Sequence, residues 1–349
     1  MFFDDDAGLE RRGRYAEIGD AVARTARLLL DHGVGHGDRV AFLVGNLDHT
    51  VVLYLATWSL GASAAPINAA ESFERKEFIL DNSIARLFFA RSEYMEEAQQ
   101  LARARDLELI EVADDNPSAY PAVAGALDPV DLGELDYPAL ETEALLVYTS
   151  GTTGPPKGVR IDQANLMANA ESMARFHSWD ASLRTMCVLP IHHVNGIVVT
   201  HMTALYVGGT AILNGRFNSK TFWQRVEAER VGVASVVPTL LEFLTESGTT
   251  SADTESLQTI ICGAGPLLVE TASDFEKRFS IPITHGYGLS ETTCYNCHLP
   301  PELSDPERRS WLSDHGFPSI GVALPFQEMA ILDPAADARV ALACRPTCD

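Results

Sequence analysis

The sequence predicts an α/β fold, and three observations carry that prediction. Short β-rich segments alternate with stretches of helical period from Tyr15 to Tyr287. Two long runs, His49–Ala70 and Thr185–Gly215, contain no Asp, Glu, Lys or Arg, as expected where strands of a parallel sheet are apolar on both faces. The composition, 46% apolar and 21% charged over 349 residues, is that of a globular protein with a substantial core.

A helix is predicted over Ala16–Asp31, closing at Gly33, where a left-handed cap suits glycine. The strand Arg39–Val44 follows, then a helix over Asp48–Leu60 and the strand Ala62–Ile67. Ser72 begins another helix, and Arg86–Phe89 is the next strand. The polar, proline-containing stretch Asp114–Glu143 reads as a surface connection. Beyond it come the strand Ala144–Tyr148, the helix Gln163–His177, the strand Met186–Leu189 and a mostly apolar helix from Gly196. Strand–helix pairs then continue through Ala234–Val237, Thr259–Cys262 and Ile283–Tyr287.

The charge-free runs also have the length of membrane spans. Gly61, Pro66 and Asn68 interrupt the first, and His192, His193, Asn195 and Gly208–Gly209 interrupt the second, so no transmembrane segment is expected. The formal charge, 26 − 48 = −22, argues against nucleic acid or an anionic membrane as partner. The amino terminus lacks the basic start and apolar run of a secretory signal. The six cysteines are therefore expected as reduced thiols of a cytoplasmic protein.

The segment Tyr148-Thr149-Ser150-Gly151-Thr152-Thr153-Gly154-Pro155-Pro156-Lys157-Gly158-Val159 leaves a predicted strand and carries the most chemistry. Its hydroxyls and glycine-flanked amides can face an anion closely, and Lys157, one of only four lysines, adds a compact positive charge. A flexible linker would not need the Pro155-Pro156 stiffening. The Walker A loop is also excluded, because Pro156 precedes Lys157 and Gly158 follows it.

This segment resembles the phosphate loop of the adenylate-forming (AMP-dependent synthetase/ligase) superfamily: acyl-CoA and aryl-CoA synthetases, peptide-synthetase adenylation domains and firefly-type luciferases. Further motifs match in the family's order. Leu189–Gly196 resembles the motif lining the acyl pocket, and Val236–Leu241 a strand-to-helix turn. Gly263-Ala264-Gly265-Pro266-Leu267 is similar to the purine-side motif, and Gly286-Tyr287-Gly288-Leu289-Ser290-Glu291-Thr292 to the adenine-stacking and metal motif. The likeness covers about residues 15–333. It implies a large N-terminal AMP-binding domain over residues 1–333, with parallel-rich sheets sandwiched by helices in an αβαβα arrangement.

The resemblance further implies activation of a carboxylic acid by ATP to an acyl-adenylate, then thioester formation with CoA. Thr149, Ser150, Gly151, Thr152, Thr153, Gly154 and Lys157 would grip the phosphates. Glu291, with Thr149 or Thr153, would hold Mg²⁺, a hard cation preferring oxygen ligands. Gly263, Ala264 and Gly265 would pass close to the purine, and Tyr287, between Gly286 and Gly288, would stack on adenine. Ser290 stands where the family more often has Thr and keeps the hydroxyl. His192, His193, Asn195 and Gly265 would line the acid, and Lys157, His193 and Glu291 are the candidate catalytic residues. Singly, Tyr287 reads as a buried aromatic, Glu291 as a solvated charge and His193 as a core histidine; their joint order overrides those readings.

Amino-acid-activating members place an aspartate near the ammonium, where this chain has His192, His193 and Asn195. A buried ammonium without that partner would be costly, so a fatty or aromatic acid is expected instead. Cys294-Tyr295-Asn296-Cys297-His298 fits the short pattern for c-type haem attachment and offers possible zinc ligands. It continues the Glu291 motif, lacks an evident fourth zinc ligand and accompanies no export signal, so neither group is expected. Family members continue with a ribose-binding aspartate and a mobile small domain bearing a catalytic lysine. No Gly-Asp pair follows Glu291, the last lysine is Lys277, and residues 334–349 carry no family motif. That tail reads as a truncation, and impaired adenylation by the chain alone is the expectation. The alternative is a non-catalytic nucleotide- or acyl-binding remnant, or a subunit needing a separate small domain.

Overall fold

Every predicted strand finds a neighbour in one of two large sheets of a computed structural model that describes residues 1–4, 10–113, 126–149, 155–248, 251–333 and 338–340. β1 (Phe2–Asp4) and β2 (Glu10–Arg12) precede α1 (Tyr15–Asp31), β3 (Arg39–Leu43), α2 (Asp48–Ser59) and β4 (Ser63–Pro66). Next come α3 (Phe73–Ser83), β5 (Leu87–Arg91), α4 (Met95–Arg103), β6 (Glu108–Val112), β7 (Glu143–Thr149) and β8 (Lys157–Asp162). α5 (Gln163–Phe176) and β9 (Arg184–Cys187) lead to a π-helix, Asn195–Met202, which runs into α6 (Thr203–Val207). β10 (Thr210–Asn214), α7 (Phe222–Ala228), β11 (Val233–Val236), α8 (Pro238–Glu246), β12 (Thr259–Cys262) and α9 (Val269–Phe279) follow. The chain then forms β13 (Ile283–Gly288), β14 (Tyr295–His298), α10 (Asp305–Ser313), β15 (Val322–Ala323) and the hairpin β16 (Ile331–Asp333) with β17 (Ala338–Val340).

The first sheet has the order β6-β5-β3-β4-β7-β8, parallel except for β8 against β7. The second has the order β15-β14-β13-β12-β11-β9-β10-β1-β2, with parallel pairing from β13 through β1. Alternation along the strands sorts side chains into three cores. Val40, Phe42, Leu87 and Phe89 of the first sheet share a core with Cys187, Leu213, Val233 and Ile261 of the second. Ala41, Leu43, Phe88 and Ala90 face α3 and α4 instead, while Met186, Ile212, Ala234 and Ile260 face α7, α8 and α9. Helices therefore cover both outer faces and fill the space between the sheets, the αβαβα order that the resemblance implied.

α2 explains the first charge-free run. It is buried almost all round, with Tyr54 donating to the Ile191 carbonyl (2.9 Å) and the Trp58 indole to the Ala144 carbonyl (2.6 Å). Its first residue, Asp48, is buried and answered by the Arg11 guanidinium and the His49 ring. Among the described residues no helix is long and apolar enough to cross a membrane.

The second run departs from expectation in one respect. The helix expected from Gly196 starts as a π-helix, within which the Thr200 hydroxyl donates to the Gly196 carbonyl (2.5 Å) and His201 Nδ1 lies 3.0 Å from it. Side chains thereby engage a carbonyl that an ordinary helical turn would give to backbone N–H.

Candidate functional site

The motif residues converge because each follows the carboxyl end of a strand. β7 ends at Thr149, β9 leads into Leu189–Asn195, β12 into Gly263-Ala264-Gly265, and β13 ends in Gly286-Tyr287-Gly288. In open parallel sheets the crevice beyond the carboxyl ends is where ligands bind. Two sheets contribute to this crevice, and they meet where β8 lies against the single 3₁₀ turn Ser290–Thr292.

Lys157 opens β8, paired in register with Thr149 across the antiparallel turn. Ser150, Gly151, Thr152, Thr153 and Gly154 lie outside the described residues. Lys157 and Glu291 are both exposed, and neither has a hydrogen-bond or ion-pair partner among the described residues. The two charges are of opposite sign and sit on elements that pack together, β8 and the Ser290–Thr292 turn. Glu291 and Thr149 supply the carboxylate and hydroxyl oxygens that Mg²⁺ prefers, so the donor set fits that ion. Tyr287 leaves 43% of its surface open although Gly286 before it is buried.

The turn bearing Glu291 is braced by residues that the sequence did not single out. The Thr292 hydroxyl donates to Asn296 Oδ1 (2.5 Å), Asn296 Nδ2 to Gln327 Oε1 (2.7 Å), and Gln327 Nε2 to the Tyr295 carbonyl (2.9 Å). Gly288 is required beside this brace, since a Cβ there would fall 1.6 Å from the Cys294 carbonyl oxygen.

The acid-side residues divide into two kinds. His192 and His193 sit with ring centroids 4.4 Å apart. Burial pushes His192 down to about 3, with His193 adding to the effect; desolvation also lowers His193, and Glu71 opposes that. Both rings are therefore neutral at pH 7 and offer hydrogen bonds rather than charge. Asn195 is buried and already engaged: its Nδ2 donates to the Tyr295 hydroxyl (3.2 Å) and its Oδ1 accepts from Ser235 Oγ (2.6 Å). It positions other groups.

Cys294, Cys297 and His298 are buried in and beside β14. Burial raises the Cys294 thiol to about 12, the Cys297 thiol turns to the Tyr287 carbonyl (3.8 Å), and His298 Nδ1 meets His177 Nε2 (2.9 Å). No group of three metal-ligating side chains converges among the described residues.

Comparison with known proteins supplies a family for this geometry. The profile of a family described as AMP-binding enzyme matches residues 4–342. Sulfoacetate–CoA ligase of Cupriavidus necator is 32% identical over 280 residues, covering 78% of this chain and 52% of that protein. Oxalate–CoA ligase of Arabidopsis thaliana is 30% identical, covering 95% of this chain and 65% of that protein. Among solved structures, ATP-bound MatB from Rhodopseudomonas palustris superposes with a TM-score of 0.84 at 23% identity, over 98% of this chain and 65% of that one. The o-succinylbenzoate CoA synthetase MenE from Bacillus subtilis, in complex with the acyl-adenylate intermediate OSB-AMP, gives 0.80 at 25% identity, over 95% of this chain and 62% of that one. The chain thus spans between about half and two thirds of the length of these relatives.

Proposed function

This chain belongs to the AMP-binding enzyme family, and from that premise we propose that its crevice activates a carboxylic acid with ATP, giving an acyl-adenylate for transfer to CoA. What supports the reading is that β8, which Lys157 opens, packs against the turn that carries Glu291, close in sequence to the open Tyr287 ring. Its relatives, a sulfoacetate–CoA ligase and an oxalate–CoA ligase, support acid–thiol ligation.

Attack of a carboxylate oxygen on the α-phosphorus forms a new P–O bond and expels pyrophosphate. The difficulty is bringing two anions together and holding them in line. Lys157 offsets phosphate charge with a compact ammonium, and Thr149 with residues 150–154 supplies donors to the phosphate oxygens. Mg²⁺, held by Glu291 and Thr149, would add positive charge where pyrophosphate leaves. Tyr287 fixes the adenine and so the direction of the triphosphate. Neutral His192 and His193 donate hydrogen bonds to the acid without the full charge that would hold it too firmly in its ground state. The motif Leu189–Gly196 itself contains no aspartate, which speaks against an amino-acid substrate. The four described cysteines, Cys187, Cys262, Cys294 and Cys297, are buried and unpaired, in keeping with a cytoplasmic setting.

Calorimetric titration of the chain with MgATP tests the site. Lys157→Ala and Glu291→Ala should each weaken binding by roughly 1–3 kcal/mol, as for lost charge-assisted contacts. Unchanged affinity in both variants would remove these assignments. Acid-dependent ATP–pyrophosphate exchange, abolished by Lys157→Ala, is the matching readout of chemistry.

A further inference from the structure

Resting on the assignment of Glu291 to a divalent cation, we propose that Asn296 and Gln327 are positioning residues for that carboxylate. They hold the turn that carries it and act on the metal only through it.

The turn runs into a strained residue. Thr293 has φ 73° and ψ −47°, and across it the Cys294 amide donates to the Thr292 carbonyl (2.9 Å). This is the γ-turn of positive φ, rare and strained, and a β-branched side chain makes that conformation less favourable still. Such a backbone persists only where its surroundings over-determine it. A relay of side-chain hydrogen bonds does so here. The Leu289 amide donates to Thr292 Oγ1 (3.1 Å), Thr292 Oγ1 to Asn296 Oδ1 (2.5 Å), Asn296 Nδ2 to Gln327 Oε1 (2.7 Å) and Gln327 Nε2 to the Tyr295 carbonyl (2.9 Å). Each link donates onward, so both amide side chains have one orientation that satisfies the whole relay. It grips the chain two residues before Glu291 and at the residue directly after it. From there it fastens the turn to β14, through Asn296, and to the segment beyond β15, through Gln327.

The relay governs direction more than stability. Thr292 is exposed, and Asn296 and Gln327 are half-buried, so water can replace bonds that a substitution breaks. The Tyr295 carbonyl also keeps the Asn169 amide (2.9 Å) when Gln327 is lost. Without the relay, however, the strained link at Thr293 can relax and carry Glu291 with it. Mg²⁺ demands a nearly ideal arrangement of its oxygens, and groups that orient a metal ligand affect affinity strongly although they never touch the metal.

Calorimetric titration of the chain with ATP, with and without Mg²⁺, tests this by binding alone. Mg²⁺ should tighten ATP binding to the parent chain, and Glu291→Gln should remove that gain. Gln327→Met, which keeps the length of the side chain, and Asn296→Leu should each weaken MgATP binding about tenfold or more, the usual loss when a group orienting a metal ligand is removed. Affinity for metal-free ATP and the denaturation midpoint should stay near the parent values, which distinguishes positioning from a general loosening of the fold. In the Glu291→Gln background neither substitution should have a further effect, since the carboxylate through which they act is gone. Unchanged MgATP affinity, an equal loss with and without Mg²⁺, or a loss that adds to that of Glu291→Gln overturns the proposal while leaving Glu291 as the metal ligand. If Mg²⁺ gives the parent chain no gain, or Glu291→Gln keeps it, the metal assignment itself falls and the positioning role with it. Should one of the two variants fail to fold, the other decides.

Discussion

Asn195 joins two buried hydroxyls, so the loss of its amide should strand both. In Asn195→Leu the Tyr295 hydroxyl loses the donor now 3.2 Å away, and Ser235 Oγ loses the acceptor now at 2.6 Å. A buried polar group left unpaired costs about 1–3 kcal/mol, so two together cost about 2–6 kcal/mol. Against a typical total of about 5–15 kcal/mol, such a loss is large and readable by guanidinium denaturation as a lower midpoint with unchanged slope. Repair is the sharper part of the prediction. Adding Ser235→Ala and Tyr295→Phe to Asn195→Leu removes the orphaned hydroxyls, and replacing all partners by apolar groups of similar shape is close to neutral. The triple variant should regain most of the lost stability. If it is no more stable than Asn195→Leu, the cost was steric, from the branched leucine end, and the hydrogen-bond argument fails.

Three further outcomes follow from the same structure. Arg11 and Asp48 are almost wholly buried; Arg11→Met leaves a buried carboxylate answered only by His49 and should cost about 3–5 kcal/mol, whereas Arg11→Met with Asp48→Leu should recover most of it. Denaturation midpoints of the two variants check this, and equal midpoints would contradict it. Burial lowers His201 to about 4 and His177 to about 3, so both are neutral when folded. Their unfolded counterparts take up protons below about 6.5, so this stability is complete above that pH and is lost as pH falls through the window toward 4; at pH 5 the loss is about 2 kcal/mol per histidine. A guanidinium midpoint that does not move between pH 7 and pH 5 would show that these rings are already protonated in the fold. Tyr287→Ala should weaken AMP binding by about 1–3 kcal/mol, the scale of stacking a base on an aromatic ring; unchanged calorimetric affinity would assign the open ring another role.

The sheets were legible because parallel strands buried on both faces read as apolar runs whatever surrounds them. Thr259–Cys262 is found where it was expected, and Ala144–Tyr148 gains one residue at each end. The π-helix was not legible, since apolar residues around Gly196 suit either helix and the side-chain contacts of Thr200 and His201 to one carbonyl appear only in the structure. Lys157, Tyr287 and Glu291 could be found from sequence because each sits in a short, dense motif. Tyr295 could not. Its partners are 100 residues away at Asn195 and 126 away at Asn169, and no local pattern announces such pairs. The sequence drew notice to Cys294, Cys297 and His298 for their ligating atoms, while the phenol among them is the group that Asn195 holds.

The separation of Lys157 from Glu291 is fixed by how the two sheets are fastened, because the residues belong to different sheets. Much of that fastening passes through Asn46, on the link from β3 to α2. Its Nδ2 donates to the Leu189 and Asn214 carbonyls (2.9 and 3.0 Å), and its Oδ1 accepts from the Ile191 amide (2.8 Å). One buried amide thus ties the first sheet to the end of β10 and to the segment that carries His192 and His193. Tyr54 adds a second tie, to the carbonyl of Ile191 itself. The acid-side motif is therefore anchored from the opposite sheet at the residue immediately before its first histidine. Substitution at Asn46, which faces no ligand, would act on acid and nucleotide together, because the two halves of the crevice share that anchor.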